Sequence, residues 1–174
     1  VNLYQWLLER LDRGEISVRN PQSYKAVISE PCYVSELGKE FYELMRRAYR
    51  VTGAEFVELE NNRDRSLSCG MASFVRDNRI RDMLKCQRMK YQQARDTGAR
   101  ELALNCYGCV LTMAATSRFY GLKLRFMPQE ILKAFGDQVN TPLNSRVPLI
   151  MKVLLKRAPL LFKKIDPELP GIPA

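Results

Sequence analysis

At 174 residues, with 46% hydrophobic and 27% charged residues, the chain has the size and composition of one globular domain with its own core. It contains no histidine, which excludes Ser-His-Asp and Cys-His nucleophiles and histidine-ligated zinc or haem. The net charge of +9 has two interpretations. The preferred one is that the basic residues lie on solvent-exposed helix faces, and the second is that they form a docking face for an anionic partner or membrane. We expect no nucleic-acid partner, because no basic stripe with interleaved aromatic residues is present.

The hydrophobic pattern predicts strands and helices in regular alternation after an initial helix. In chain order these are a helix at 3–11, a strand at 25–29, a helix at 35–51, a strand at 55–59, a long helical region at 71–97, a strand at 100–104, a helix at 110–120, a strand at 122–127 and a helix at 128–135. Such alternation is typical of an α/β fold, here a layered, largely parallel sheet flanked by helices.

The segment after residue 135 differs in composition and is predicted to be a proline-rich, basic C-terminal extension. Six lysines and arginines fall between residues 146 and 164. We expect a helical or extended docking arm at 136–174, with peripheral membrane contact through 146–165 and packing on the core as alternatives. The remaining predicted parts are an N-terminal helix and linker at 1–24 and a cysteine-rich domain at 25–135.

Two features that are absent from the sequence bear on the expected cellular location of the protein. No run approaches the ~18 apolar residues of a spanning helix, and the first residues have no signal-peptide pattern. We therefore expect a cytoplasmic protein, with peripheral association on the cytoplasmic face of a membrane as an option. The chain begins at Val1, which is compatible with a missing amino terminus.

Four of the five cysteines follow predicted strands. Cys32 comes after the first strand, Cys69 after the second strand and its turn, and Cys106 and Cys109 after the third. The carboxyl ends of parallel strands line one crevice, so we expect these four thiols to converge there. Thiolates are suitable ligands for zinc and for iron–sulfur clusters. Cys86 lies inside the long helical region and is predicted to be a packed thiol.

Two other interpretations of the four cysteines stay open at this point. Cysteine packs well as a small hydrophobic residue, so all four could be buried free thiols. The Cys106–Cys109 spacing also occurs in thioredoxin-like redox motifs, although such a motif needs neither Cys32 nor Cys69.

Four short segments resemble the CCG cysteine-rich domain, which occurs in heterodisulfide reductase B and D subunits, in iron–sulfur subunits of glycolate and lactate oxidation systems, and in the E-type subunit of some succinate dehydrogenases. They are Ile-Ser-Glu-Pro-Cys-Tyr at 28–33, Glu-Leu-Glu-Asn-Asn-Arg at 58–63, Leu-Ser-Cys-Gly at 67–70 and Glu-Leu-Ala-Leu-Asn-Cys-Tyr-Gly-Cys at 101–109. The resemblance spans about residues 25–135. It implies an iron–sulfur centre bound by Cys32, Cys69, Cys106 and Cys109.

Ser68 stands where the resemblance places the first cysteine of a pair. This replacement calls the direct disulfide-cleaving chemistry of heterodisulfide reductases into question for this chain. The four remaining thiols are sufficient for an ordinary [4Fe-4S] cluster or for zinc. We expect Ser68 to be a neutral hydrogen-bonding replacement at the site, with ligation through its oxygen as the alternative.

The function expected from the resemblance is that of an iron–sulfur electron-transfer subunit in a heterodisulfide reductase-like or succinate- or 2-hydroxy-acid-oxidising complex. Its partners would be a flavoprotein, a ferredoxin-like subunit or a membrane anchor, and it would not be catalytic alone. Family members often carry two such domains, so one copy indicates a fragment or a subunit that works with others. The alternatives are a zinc-binding structural or assembly subunit of a membrane-associated respiratory complex, and a metal-free scaffold.

Overall fold

The computed structural model describes residues 2–77 and 79–139, with Lys152 and Lys156, and the structural statements below concern these residues. The helices are α1 Leu3–Asp12, α2 Lys39–Arg50, α3 Met71–Asp77, α4 Ile80–Asp96, α5 Tyr107–Ala114 and α6 Met127–Ala134. The strands are β1 Lys25–Ser29, β2 Glu55–Val57, β3 Glu101–Leu104 and β4 Lys123–Phe126. Short 3₁₀ helices occupy Cys32–Leu37, Arg63–Arg65 and Ser117–Tyr120.

The strands form one parallel sheet in the order β2-β1-β3-β4. The central pair is in register from Ala26 opposite Glu101 to Ser29 opposite Leu104, so β1 and β3 end at the same level. Parallel neighbours require crossover connections, and helices supply them between successive strands. The predicted α/β fold with a parallel sheet is therefore confirmed.

Side chains that alternate along the strands supply two apolar layers. Ala26, Ile28 and Ala103 belong to a core that also contains buried residues of α1, α2 and α6. The residues between them point to the opposite face because side chains alternate along a strand. There the fully buried Leu102 and Ser29 meet the second layer, in which α4 lies. Both faces of the sheet are thus covered, as an all-parallel sheet requires.

Several predicted helix boundaries were wrong. Gly38 has a φ of +89°, so the predicted helix at 35–51 is divided into a 3₁₀ turn and α2. The long region at 71–97 is two helices, α3 and α4, and the helix predicted at 110–120 begins at Tyr107 and ends at Ala114. The apolar periodicity of the region at 71–97 predicts a buried face through Ile80, Met83, Leu84, Gln87 and Tyr91. The buried face of α4 differs, because Ile80 and Leu84 are exposed.

The chain divides into two compact units, Val1–Thr141 and Pro142–Ala174. The first contains the sheet and the helices α1 to α6. In the second, only Lys152 and Lys156 are described, and both are helical and exposed. The predicted C-terminal extension lies almost entirely outside the described residues, and the predicted domain boundaries stay predictions. None of the helices in the described part of the chain is long and apolar enough to cross a membrane.

Candidate metal centre

The strand order reverses between β1 and β3, and this position determines where a crevice opens. From β1 the chain moves to the edge strand β2, whereas from β3 it moves to the other edge strand, β4. The two connections therefore separate at the carboxyl ends of β1 and β3, which is where open α/β sheets bind ligands. Cys32 begins the 3₁₀ helix that follows β1, and Cys106 lies two residues beyond β3. Both cysteines are thus brought to the same end of the sheet.

Helix α5 carries the Cys106–Cys109 pair at its amino-terminal end. Cys106 is the N-cap residue in extended conformation, and Cys109 is buried in the first turn. The amino end of a helix carries a partial positive charge, which favours thiolates placed there. A Cβ atom on Gly108 would lie 3.5 Å from the Cys106 sulfur, an ordinary contact, so crowding inside the protein does not by itself require this glycine.

The buried Cys69 reaches the same region through the loop between β2 and α3. The Cys109 thiol donates a hydrogen bond to the Cys69 sulfur, and this bond lowers the pKa of Cys69. Burial opposes the shift, whereas a hydrogen bond from the Met71 amide adds to it. The hydrogen bond between the two cysteines, with burial, raises the pKa of Cys109. The hydrogen bond therefore favours the thiolate form of Cys69 and the protonated form of Cys109. Cys69 and Cys109, which are 40 positions apart in the sequence, are in direct contact.

Lys90 of α4 introduces a positive charge beside these sulfurs, a feature that the cysteine pattern did not predict. Its side chain is fully buried, and its Nζ donates a 2.7 Å hydrogen bond to the Ser29 hydroxyl at the end of β1. Burial lowers the pKa of Lys90, while the negative charges of Cys109 and Cys69 oppose that shift. The signal was present, since position 90 follows the helical period of the buried residues Gln87 and Ala94.

Tyr33 lies among the other thiols. Burial raises its pKa first, and Cys106 and Cys109 raise it further. Cys32 has a smaller effect in the same direction. Asn105 donates a 3.1 Å hydrogen bond from its amide to the Tyr33 hydroxyl. The structure therefore brings Cys69 and Cys109 into contact, and Cys32, Cys106 and Cys109 each influence the pKa of Tyr33.

Helix α1 reaches this crevice through a side-chain hydrogen bond. The Tyr4 hydroxyl donates to the Asn105 side-chain carbonyl, and Asn105 in turn contacts Tyr33. Tyr4 is also part of the core shared with α2 and β1. The first helix of the chain thus supports the site directly, a role that its sequence pattern did not indicate.

A buried ion-pair network holds the loops that carry Cys32 and Cys69. Glu30, two residues before Cys32, is buried against the Arg46 guanidinium and also accepts the Arg63 amide at 3.2 Å. Arg46 binds both carboxylate oxygens of Glu58, at 2.6 and 2.7 Å. The network therefore ties the end of β1 to the start of the loop that leads to Cys69. Glu30 and Glu58 fall within the segments that carry the resemblance, but their partner Arg46 was not anticipated.

The two remaining residues of interest in this region have structural contacts. The Ser68 hydroxyl accepts the Gly70 amide at 3.1 Å, so it stabilises the turn that presents Cys69. Cys86 is half-buried on α4. Ligation of a metal by Ser68, and by Cys32, Cys69, Cys106 and Cys109, stays a prediction.

The thiols do not form a closed single-ion site in the part of the chain that the structure describes. Within those ranges, no three cysteine, aspartate or glutamate side chains are grouped closely enough to hold one metal ion. Cys69 and Cys109 are in direct contact. Thiolate is the donor type of a soft metal centre, either zinc or an iron–sulfur cluster.

The comparisons with known proteins concern the same residues. Neither the curated proteins nor the solved structures give a match to this chain. A family model described as the CCG cysteine-rich domain matches residues 26–114, just over half of the chain. The matched range runs from β1 into α5 and includes the four cysteines of the crevice. The chain therefore belongs to the CCG cysteine-rich domain family.

Proposed function

We propose that the chain is an iron–sulfur electron-transfer subunit of an oxidoreductase complex and that Cys32, Cys69, Cys106 and Cys109 hold a [4Fe-4S] cluster. The observation that supports the proposal is that Cys69 and Cys109 are in contact, while Cys32 and Cys106 follow β1 and β3 at the point where the strand order reverses. Membership of a cysteine-rich, metal-binding family supports it. The zinc-binding structural subunit is the alternative that the same experiment tests.

The bound cluster would supply one-electron transfer. The chain's own residues fit that task in three ways. The hydrogen bond from Cys109 lowers the pKa of Cys69 and so favours its thiolate, the form that binds metal. Lys90 and the amino end of α5 offset the negative charge of the ligands. Cys109 and Cys69 are buried, whereas Cys32 is exposed, so the centre would be shielded on one side and accessible on the other.

The partners and location belong to the same proposal. An exposed ligand at the rim suits electron exchange with another subunit, such as a flavoprotein, a ferredoxin-like protein or a membrane anchor. We propose that the subunit works in the cytoplasm within a heterodisulfide reductase-like complex or one that oxidises succinate or 2-hydroxy acids, and is not catalytic alone.

The test is anaerobic purification followed by reconstitution with iron and sulfide and by measurement of iron, sulfide and zinc per chain. We expect about four irons per chain and a broad visible absorption that dithionite bleaches. Cys109→Ser should lose most of the iron and the colour. Cys86→Ser is the matched control, because Cys86 lies outside the crevice, and it should keep both. Stoichiometric zinc without colour would instead support the structural alternative.

A further inference from the structure

An open groove of about 720 Å³ lies between α4 and the 3₁₀ helix Ser117–Tyr120. We call it the α4 groove. Its apolar wall includes Leu84, which is 42% exposed, and Phe119, which is 87% exposed, together with Tyr120. A phenylalanine so fully presented to solvent has no role in the core of the described residues. Aromatic side chains of this kind are typical anchors of protein interfaces.

The α4 side of the groove, which also carries Leu84, is strongly basic. Arg81, Lys85 and Arg88 recur along α4 at helical spacing and are all exposed. Within the described part of the chain, none of the three forms an ion pair with a carboxylate. Three adjacent cations without counter-charges create a local positive potential beside an apolar strip.

The floor of the α4 groove is rigid and continuous with the cysteine crevice. Gln87 donates a 3.1 Å hydrogen bond to the Cys69 carbonyl and accepts the Thr116 hydroxyl at 2.7 Å. Tyr91 bonds to Thr116 at 2.8 Å and to the Met113 carbonyl at 3.1 Å. A partner seated in the groove would therefore contact residues that directly hold the Cys69 loop.

We propose that the α4 groove is a docking site for an acidic, amphipathic helical segment of a partner protein. The apolar face of such a helix would cover Leu84 and Phe119, and its carboxylates would pair with Arg81, Lys85 and Arg88. The chain's own residues 146–164 are a poor occupant, since their six basic residues would meet three more. The +9 net charge of the chain favours an acidic partner for the same reason.

The test is fluorescence anisotropy with the full chain and a labelled amphipathic peptide of about 15 residues, with leucines on one face and glutamates flanking them. We expect saturable binding in the micromolar range. The same peptide with lysines in place of the glutamates should not bind. The triple variant Arg81→Glu, Lys85→Glu, Arg88→Glu should weaken binding of the acidic peptide at least about tenfold and should bind the lysine peptide instead.

A matched control carries the same change in net charge elsewhere. Arg50, Arg100 and Lys123 are exposed and lie outside the groove, and their replacement by glutamate should change the affinity by less than about twofold. Phe119→Ala should weaken binding, whereas Leu132→Ala, which removes another exposed apolar side chain, should not. Equal losses in both triple variants, or no saturable binding by the wild type, would overturn the proposal. Circular dichroism confirms that the variants fold, and no readout depends on a bound cluster.

Discussion

Lys90 places an ammonium group inside the protein beside the proposed ligands, and this position has an electrochemical consequence. A buried cation near a cluster stabilises the added electron, because its charge is weakly screened there. We expect Lys90→Met, which roughly preserves the side-chain volume, to make the reduction potential of the reconstituted protein more negative. A potentiometric titration followed by electron paramagnetic resonance measures this potential.

The control for that experiment is Lys85→Met on the same helix. Lys85 is exposed, so water and salt screen its charge and its removal should leave the potential nearly unchanged. Identical potentials for Lys90→Met and the wild type would show that the buried amine does not contribute to the electrostatics of the centre.

Arg46 illustrates how a residue away from the sulfurs stabilises the loops that carry them. Removing it leaves the carboxylate of Glu30, which is 1% exposed, buried without its counter-charge. We expect Arg46→Met to lower the free energy of unfolding by about 3–5 kcal/mol. Arg47→Met, one residue along, removes an exposed side chain with only a 3.9 Å pair and should change it by about 0.5 kcal/mol or less. Urea denaturation measures both.

Glu58 gives the same network a dependence on pH. Burial raises its pKa, but the hydrogen bonds and charge of Arg46 outweigh burial, and the folded-state pKa of Glu58 is lowered. A carboxyl group whose pKa is lowered by folding stabilises the folded state at pH values above its unfolded-state pKa of about 4.3. That stabilisation is lost as the pH falls through the folded-state pKa. We expect the stability difference between the wild type and Glu58→Gln to be largest near neutral pH and to shrink on acidification. A difference that stayed constant down to pH 3 would contradict this.

At the scale of elements, the close contact between the Cys69 turn and α4 depends on Gly70. Its φ is +80°, and a Cβ atom there would lie 2.5 Å from the Met83 Cα. Gly98 has a similar φ of +75°, but a Cβ atom there would meet nothing within 4 Å. Gly98→Ala should therefore cost only the conformational strain, about 1–2 kcal/mol. Gly70→Ala should cost more, because backbone must also move.

The two glycine variants also separate folding from metal binding. Displacement of the Cys69 turn should reduce the iron content of reconstituted Gly70→Ala, whereas Gly98→Ala should keep it. Thermal unfolding and iron analysis of both proteins check this. Equal iron content in the two would mean that the Cys69 turn tolerates a shift of α4.

The sequence pattern could predict the elements because their periodicity is local. The strand at 25–29 and the parallel sheet followed from apolar runs between turn residues. The division at Gly38 and the separation of α3 from α4 could not be predicted in the same way, since both are breaks within otherwise helical patterns. The position of the cysteines at strand ends was also readable. The helical period of α4 indicated that position 90 is buried, but the partners of Lys90 and Arg46 could not be predicted, because a buried charge is explained only once its partner in space is known.

At the scale of the whole molecule, the described core lies within the unit Val1–Thr141, and six of the 28 lysines and arginines lie in the second unit. Residues 146–164 carry six basic side chains among apolar ones. Each lysine or arginine near an anionic bilayer contributes about 1 kcal/mol of attraction. We therefore propose that the basic segment 146–164 binds an anionic membrane, separately from the acidic partner proposed for the α4 groove.

The membrane role predicts a specific dependence on lipid charge. The full chain should sediment with vesicles that contain phosphatidylserine and stay in solution with phosphatidylcholine alone. Replacing all six basic residues between 146 and 164 by glutamine should abolish sedimentation and leave the iron content unchanged, since the four cysteines lie outside that segment. The control replaces Arg50, Arg100 and Lys123 by glutamine and should still sediment. Equal sedimentation of the six-residue variant would contradict the membrane role of this segment. Equal losses in the six-residue variant and the control would instead assign the attraction to the chain's overall charge.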